Sequence, residues 1–327
     1  MPEVDRMTIK AGLIGCGKHA LYAHALPSLV LPKFEFTSTY DPSSSSHISF
    51  AKEMQQDVNR LSSMSSLLKS DIDCVFIASP DEYHAGTLYD AVKAGKHVFV
   101  EKPLAVNSGE VKIVKEAFNI ANENGLIILS CHPKRFDPPV SWLKDQLPML
   151  QKQYGVIEEV GIGFNYASPP EDWKRRRSLL LDHASHEIDT LQFLLGASGL
   201  EATANENTAS EFDIRGERSD GIKFHFYGQT LPEIENPSEQ LVIKFHSNSL
   251  SMDMKTGKVE VAGLQEEIST DFQAHRSDFA VRSKSVMENF IDAIANPRNA
   301  YLSHAEMLLN TAFCVELCEK GSFKVEI

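Results

Sequence analysis

"MTIKAGLIGCGKHA", residues 7–20, starts as an apolar run rich in β-formers and ends as the opening of a helix. Residues 7–14 read as a short buried strand closed by Gly15. Gly15-x-Gly17-x-x-Ala20 then follows at the strand-to-helix turn. Gly15 permits the tight turn, and Gly17 lets backbone N–H groups approach a pyrophosphate. Ala20 stands for a third glycine and still allows close helix–strand packing, while Lys18 and His19 lie in the same turn as candidate cofactor contacts. The competing reading is a glycine turn without a ligand. Its place in the first strand–helix unit favours the dinucleotide.

The pattern repeats outward from this turn. Residues 33–40, 71–79, 96–101 and 126–131 read as further strands. Between them, Ala85, Leu88, Ala91 and Val92 share one face of a helix over 84–95 stopped by Gly95. Asn107 and Glu110 form a capping box for a helix over 108–124 that Gly125 ends. Strand and helix alternating at this spacing predict a doubly wound parallel sheet, a Rossmann domain, over residues 1–130. After about residue 150 the rhythm changes. Residues 158–167, 221–228, 240–247 and 249–263 alternate apolar and polar side chains, with Thr256-Gly257 as a hairpin turn. A helix carrying His186 precedes most of them, and helices over 283–296 and 304–320 follow. Residues 131–327 are therefore expected to form an α+β domain with a large, open, mostly antiparallel sheet, for substrate binding and oligomerisation. A homodimer or homotetramer is expected from that open sheet.

Composition narrows the function. A formal charge of −13 disfavours nucleic acid and anionic membrane as partners. The five cysteines are scattered, with no Cys-x-x-Cys pair, which suits a reduced compartment. No run of 18 apolar residues occurs, and "MPEVDRM" (1–7) lacks the apolar core of a signal peptide, so the cytoplasm is expected.

Three groups of residues carry candidate chemistry. Asp41 ends the second strand 21 residues past Ala20, where a carboxylate accepts hydrogen bonds from the adenosine ribose and repels a 2′-phosphate. NAD is favoured on that ground; the serines after Asp41 leave NADP open, and Asp41-Pro42 as a plain turn opener is the competing reading. "VFVEKPLAVN" (98–107) ends an apolar strand on Glu101, Lys102 and Pro103. Ligands of open α/β sheets sit beyond the carboxyl ends of the strands, so Lys102 is placed to polarise or deprotonate a substrate hydroxyl. Glu101 would pair with it or hold the nicotinamide end, and Pro103, if cis, would aim the lysine inward. On composition alone, a solvated Glu–Lys pair competes. The third group, "DHASHEID" (182–189), puts Asp182 and His186 one turn apart on a helix. A carboxylate there raises the basicity of an imidazole suited to acid–base work near neutral pH. Ligation of a metal by Asp182, His183, His186 and Asp189 is the weaker alternative, and no metal is expected.

"GLIGCGKHA" (12–20), "FIASPDEYHAGTLYDAVKAGKHVFVEKPLA" (76–105) and "LLLDHASHEIDTLQFLLG" (179–196), in this order, resemble the Gfo/Idh/MocA oxidoreductases, which include glucose–fructose oxidoreductase and inositol dehydrogenase. The likeness extends to the closing helices over 290–321. It implies that Lys102 is catalytic, that His186 exchanges the hydroxyl proton, and that Asp182 supports it and binds substrate. It also implies that Ser79, Pro80 and His84 lie by the nicotinamide, and that Arg135 and His183 face the substrate. Departures bear on the pocket: "RRRSLLL" (175–181) replaces a glycine cluster, Ala184 a glycine, His183 a hydrophobic residue and Asp81 an asparagine. Trp173 offers an aromatic face to a sugar ring, and Arg175, Arg176 and Arg177 suit a carboxylate or phosphate, with a solvated loop as the competing reading.

The expected function is hydride transfer between NAD(P) and a hydroxyl or keto group of a sugar, sugar derivative or cyclitol held between the domains. The alternative is a non-catalytic nucleotide-sensing regulator of the same fold. The presence of Lys102, Asp182 and His186 together speaks for the enzyme.

Overall fold

The structure is a computed structural model that describes residues 8–55, 58–168, 178–261 and 279–326. Trp173 and Arg175 to Arg177, named above as substrate contacts, lie outside the described residues. The chain divides into two compact units: Met1–Pro133 with Asp278–Leu308, and Lys134–Ser277 with Leu309–Ile327.

The first unit holds six strands: β1 (Ile9–Ile14), β2 (Phe34–Tyr40), β3 (Asn59–Arg60), β4 (Cys74–Ile77), β5 (His97–Val100) and β6 (Ile128–Ser130). Their order is β3-β2-β1-β4-β5-β6 and every pairing is parallel. This is the doubly wound arrangement, with its switch point between β1 and β4. Lys18–Ala20, Leu21–Ala25 and Leu26–Ser28 run on as one helix, α1, whose middle five residues form a π turn. α2 (Ser44–Met54), α3 (Met64–Leu68), α4 (His84–Lys93) and α5 (Ser108–Asn124) complete the crossovers. α4 buries Ala85, Leu88, Ala91 and Val92, the face read from the sequence. At the start of α5, Asn107 Oδ1 accepts the Glu110 N–H, and Glu110 accepts in return from Val106 N–H.

A division at residue 130 assigns all later helices to the second domain. The contacts instead return one of them to the first unit. α8 (Phe279–Ala295; α6 and α7 are given below) buries Phe290 against Phe76 and Phe99, with ring centroids 5.5 and 5.6 Å apart. Phe34 and Phe36 complete this aromatic cluster edge-on to Phe76. An apolar helix face goes where unfilled core lies, regardless of chain order.

In the second unit, β7 (Ile157–Ala167), β8 (Leu200–Asn207), β9 (Glu211–Arg218), β10 (Lys223–Leu231), β11 (Ser238–Phe245), β12 (Ser249–Asp253), β13 (Val259–Val261) and β14 (Ser322–Val325) make one sheet in the order β13-β12-β11-β7-β10-β9-β8-β14. Only the β7–β10 pairing is parallel. β8, β9 and β14 are absent from the sequence reading, because their charged outward residues dilute the alternation. The Thr256-Gly257 turn is present: Asp253 Oδ1 accepts the N–H groups of Lys255 and Thr256, and Gly257 has φ +72°. One face of the sheet buries Phe164, Phe212, Phe224 and Phe226. α6 (Pro138–Tyr154) and α7 (Leu179–Leu195) belong to this unit, and α9 (His304–Lys320) contributes Phe313, which meets Phe226. No helix of the described residues is long and apolar enough to cross a membrane.

Candidate active site

The parallel strands of the first unit bring several expected residues to one carboxyl edge. β1 ends at Gly15, whose φ of +91° strains any side chain; a Cβ there would also lie 2.6 Å from the Ala78 carbonyl oxygen. Gly17 differs. It caps α1 with φ −73°, and beyond its chain neighbours and its own helix a Cβ on it would meet no atom of the described residues within 4 Å. The chain's own packing does not require glycine here, so the bare backbone serves a group from outside. Ser79, across the β4 end, buries a hydroxyl without a hydrogen-bond partner among the described residues. An open glycine cradle and an orphaned hydroxyl on one edge fit a dinucleotide. A cleft beside the loop is lined by Gly17, Lys18, Ser45, Ser46 and Glu53.

Asp41 is tied into the loop. Its Oδ2 accepts from Cys16 N–H at 2.8 Å and its Oδ1 from Ser43 N–H at 2.7 Å. It therefore shapes the glycine turn directly. Burial, with Asp41 adding to it, pushes the Cys16 thiol up to about 12. His84 is buried and spans two loops: Nδ1 lies 2.7 Å from the Pro103 carbonyl and Nε2 2.7 Å from that of Ser79. It braces the β4 edge to the Lys102-Pro103 turn, where the peptide bond is cis.

Glu101 is buried, and its Oε1 receives two imidazoles: His24 Nε2 at 2.8 Å and His19 Nε2 at 3.0 Å. Burial would raise this carboxyl; the two histidines outweigh it and hold the group well below the usual range. Burial, reinforced by Glu101, pushes the neighbouring Cys131 thiol well up. Glu101 is thus the anchor of a histidine pair. His24 escapes the sequence reading because residues five apart do not share an α-helical face; the π turn Leu21–Ala25 changes that register.

In the second unit, Ser178 caps α7 by accepting from Leu181 N–H. Asp182 lies in the first turn and His186 one turn later. The i,i+4 ion pair seen on α7 joins His183 Nδ1 to Glu187, 3.3 Å away. Glu187 is fully buried and also meets Lys134 Nζ at 3.1 Å. Lys134 reaches Glu239 on β11 at 2.7 Å, and the Tyr166 hydroxyl donates to Glu239 at 2.6 Å. Burial would lower Lys134, but Glu187 and Glu239 outweigh it and raise it. Burial would raise Glu239, but Lys134 above all brings it down to about 2.

Arg135 requires a correction. Expected at the substrate, it is buried, and its Nε and Nη2 grip Asp189 at 2.8 to 3.2 Å. Asn310 donates to the same carboxylate at 3.1 Å. This fork holds α7 to the turn after β6. The His183 ring lies beside that of His186, with centroids 5.3 Å apart, and its centroid is 3.9 Å from that of Phe164. Lys134, Glu187 and Glu239 carry no motif and escape the sequence reading.

A six-stranded doubly wound unit with an open glycine cradle defines a dinucleotide-binding protein. Residues 9–131 match the family model described as "oxidoreductase family, NAD-binding Rossmann fold". An uncharacterized oxidoreductase of Streptococcus pneumoniae serotype 4 is 30% identical over 228 residues, 65% of this chain and 58% of that protein. Inositol 2-dehydrogenase of Rhizobium meliloti is 25% identical over 201 residues, 61% of this chain and 58% of that protein. The chain thus spans less than two thirds of the length of these curated relatives. An oxidoreductase from Agrobacterium radiobacter, solved with NAD+, L-tartaric acid and magnesium, superposes with a TM-score of 0.82 at 14% identity, covering 98% of each chain. At that identity the likeness concerns the fold alone.

Proposed function

We propose that the protein is an NAD(P)-dependent oxidoreductase that transfers hydride between the nicotinamide and a hydroxyl or keto group of a sugar, sugar derivative or cyclitol. The observation that carries this reading is the single sheet edge on which Gly15, Gly17, Ser79 and the Lys102 turn meet. The relative named inositol 2-dehydrogenase supports the substrate class. NAD, when bound, supplies the acceptor or donor of the hydride. Gly17 would admit its pyrophosphate, Asp41, which shapes the loop, would meet the ribose, and Glu101, with its two histidines, would steady the nicotinamide end. His186, supported by Asp182, takes the hydroxyl proton as the carbinol carbon gives up its hydride. Lys102, at the sheet edge of the first unit, would polarise a substrate hydroxyl. The reading includes a homodimer or homotetramer, for which the half-buried His225 and Tyr227 on the outward face of β10 speak, and a reduced, cytoplasmic setting, for which five free cysteines speak. Light scattering and cell fractionation test these two points.

The test of function is a 340 nm screen of sugars, uronates and cyclitols with NAD and with NADP. Lys102→Ala and His186→Ala should each lower kcat about 10²- to 10⁴-fold while NAD binding persists. Wild-type turnover in both variants refutes the assignment.

A further inference from the structure

Three ligating groups converge near the start of α1, and one of them is more than packing needs. His19 and His24 lie on α1, and Glu101 follows the end of β5. Their ligating atoms all lie within 4.8 Å of one another, the one such group of three histidine, cysteine or acidic side chains among the described residues. Buried His24 by itself ties the helix to Glu101, and its ring is held edge-on to Phe76 and Phe99, with centroids 5.7 and 5.3 Å away. The His19 side chain is 47% exposed, yet its Nε2 comes to the same carboxylate oxygen. Water serves an exposed imidazole about as well as a carboxylate does, so a hydrogen bond alone does not account for this placement. The π turn Leu21–Ala25 is what brings positions five apart to one oxygen, and such turns frequently mark functional sites.

We propose that His19, His24 and Glu101 form a site for a divalent metal ion of the zinc class. The sequence reading expects no metal, because no spacing rule brings residues 19, 24 and 101 together. Two imidazole nitrogens and one carboxylate oxygen suit zinc, cobalt or nickel, whereas magnesium and calcium take oxygen ligands. The two imidazole nitrogens now stand 2.8 and 3.0 Å from Glu101 Oε1. Ligands around a tetrahedral zinc are about 3.4 Å apart, so the side chains need part by only about half an ångström. His24 Nδ1 has no hydrogen-bond partner among the described residues, so nothing pins the ring proton to Nε2. The proton can sit on Nδ1 and leave the Nε2 lone pair for the ion. Burial would raise the Glu101 carboxyl, but the histidines hold it ionised, as ligation requires. Half-exposed His19 gives the ion a way in from solvent. Bound there, the ion ties the helix of the glycine turn to the strand end that carries Lys102. The proposal stands apart from the oxidoreductase reading, since it needs neither substrate nor turnover.

The test uses the untagged full chain, with Co2+ as a visible probe and Zn2+ in competition. Co2+ should saturate a single site and give the visible bands of a nitrogen–oxygen ligand set, without the near-ultraviolet charge-transfer band that a cysteine ligand adds. Zn2+ should displace it, and at about 100 times its dissociation constant should raise the melting temperature by a few degrees. In protein labelled with 15N-histidine, Zn2+ should shift the ring nitrogens of His19 and His24. His19→Gln, His24→Gln and Glu101→Gln should each weaken Co2+ binding about tenfold or more. His19→Gln changes a half-exposed position and keeps the fold, so it decides the matter even where the buried variants unfold. Wild-type Co2+ affinity in His19→Gln, a thiolate band, or Zn2+ shifts confined to other histidines overturns the site. So does the lack of saturable binding below about 100 μM. A chain that turns over no substrate leaves all these readouts unchanged and sinks the proposed reaction alone.

Discussion

Gly15 and Gly17 are both glycine, for opposite reasons. Gly15 has φ +91° and the Ala78 carbonyl where a Cβ would stand, so Gly15→Ala should cost about 2 kcal/mol or more in urea unfolding. Gly17 has an ordinary φ and open space around it, so Gly17→Val should leave the melting temperature within a few degrees. Its NAD affinity should nevertheless fall about tenfold or more by titration, because the side chain stands where a pyrophosphate oxygen must approach backbone N–H groups. Both glycines are legible in the sequence; which one packing requires is not, since that depends on a carbonyl more than sixty positions along the chain. Arg135 shows the reverse. Its type suggests an anion-binding role, and the fold spends its fork on Asp189. Arg135→Ala should therefore lose about 3 to 5 kcal/mol of stability, read by denaturant unfolding, because it leaves a buried carboxylate without its principal partner.

Helix α5 was legible to the residue: Asn107 caps it and Gly125, at φ +65°, ends it. Asn107→Ala should cost about 1 kcal/mol, a shift of a few degrees in thermal melting. Such signals are readable because cap and stop lie within one turn of the backbone groups they satisfy. α1 shows the limit. A π turn within it brings His19 and His24 to one Glu101 oxygen, and no spacing rule for α-helices reports that. α7 stands between these cases. Its Ser178 cap and apolar faces follow from local sequence, but the partner of each charge on it comes from the turn after β6 and from β11.

Across the second unit, buried charge ties stability to acid. Glu239 sits at about 2 in the folded protein against an ordinary 4.5, so its contribution is fully present above about pH 4.5. That contribution drains away as pH falls from there towards 2. Unfolding free energies measured from pH 6 to pH 3 should decline steeply in the wild type and less steeply in Glu239→Gln; equal slopes would contradict the pairing with Lys134.

The sequence alone determined the strand–helix rhythm, the glycine turn, the capped helices and the change to an alternating sheet. Each of these depends on residues within a turn or a strand of one another, where backbone hydrogen bonding and apolar period act locally. Only the tertiary structure decided that α8 joins the first core through Phe290, that Arg135 closes on Asp189, and that Lys134 and His183 share Glu187. The ion pairs of Lys134 and Arg135 join residues 53 and 54 positions apart. A charge has no period to announce its partner. Which charges are buried together follows from the packing of apolar faces, and the fold then matches each buried charge with whatever opposite charge that packing brings near.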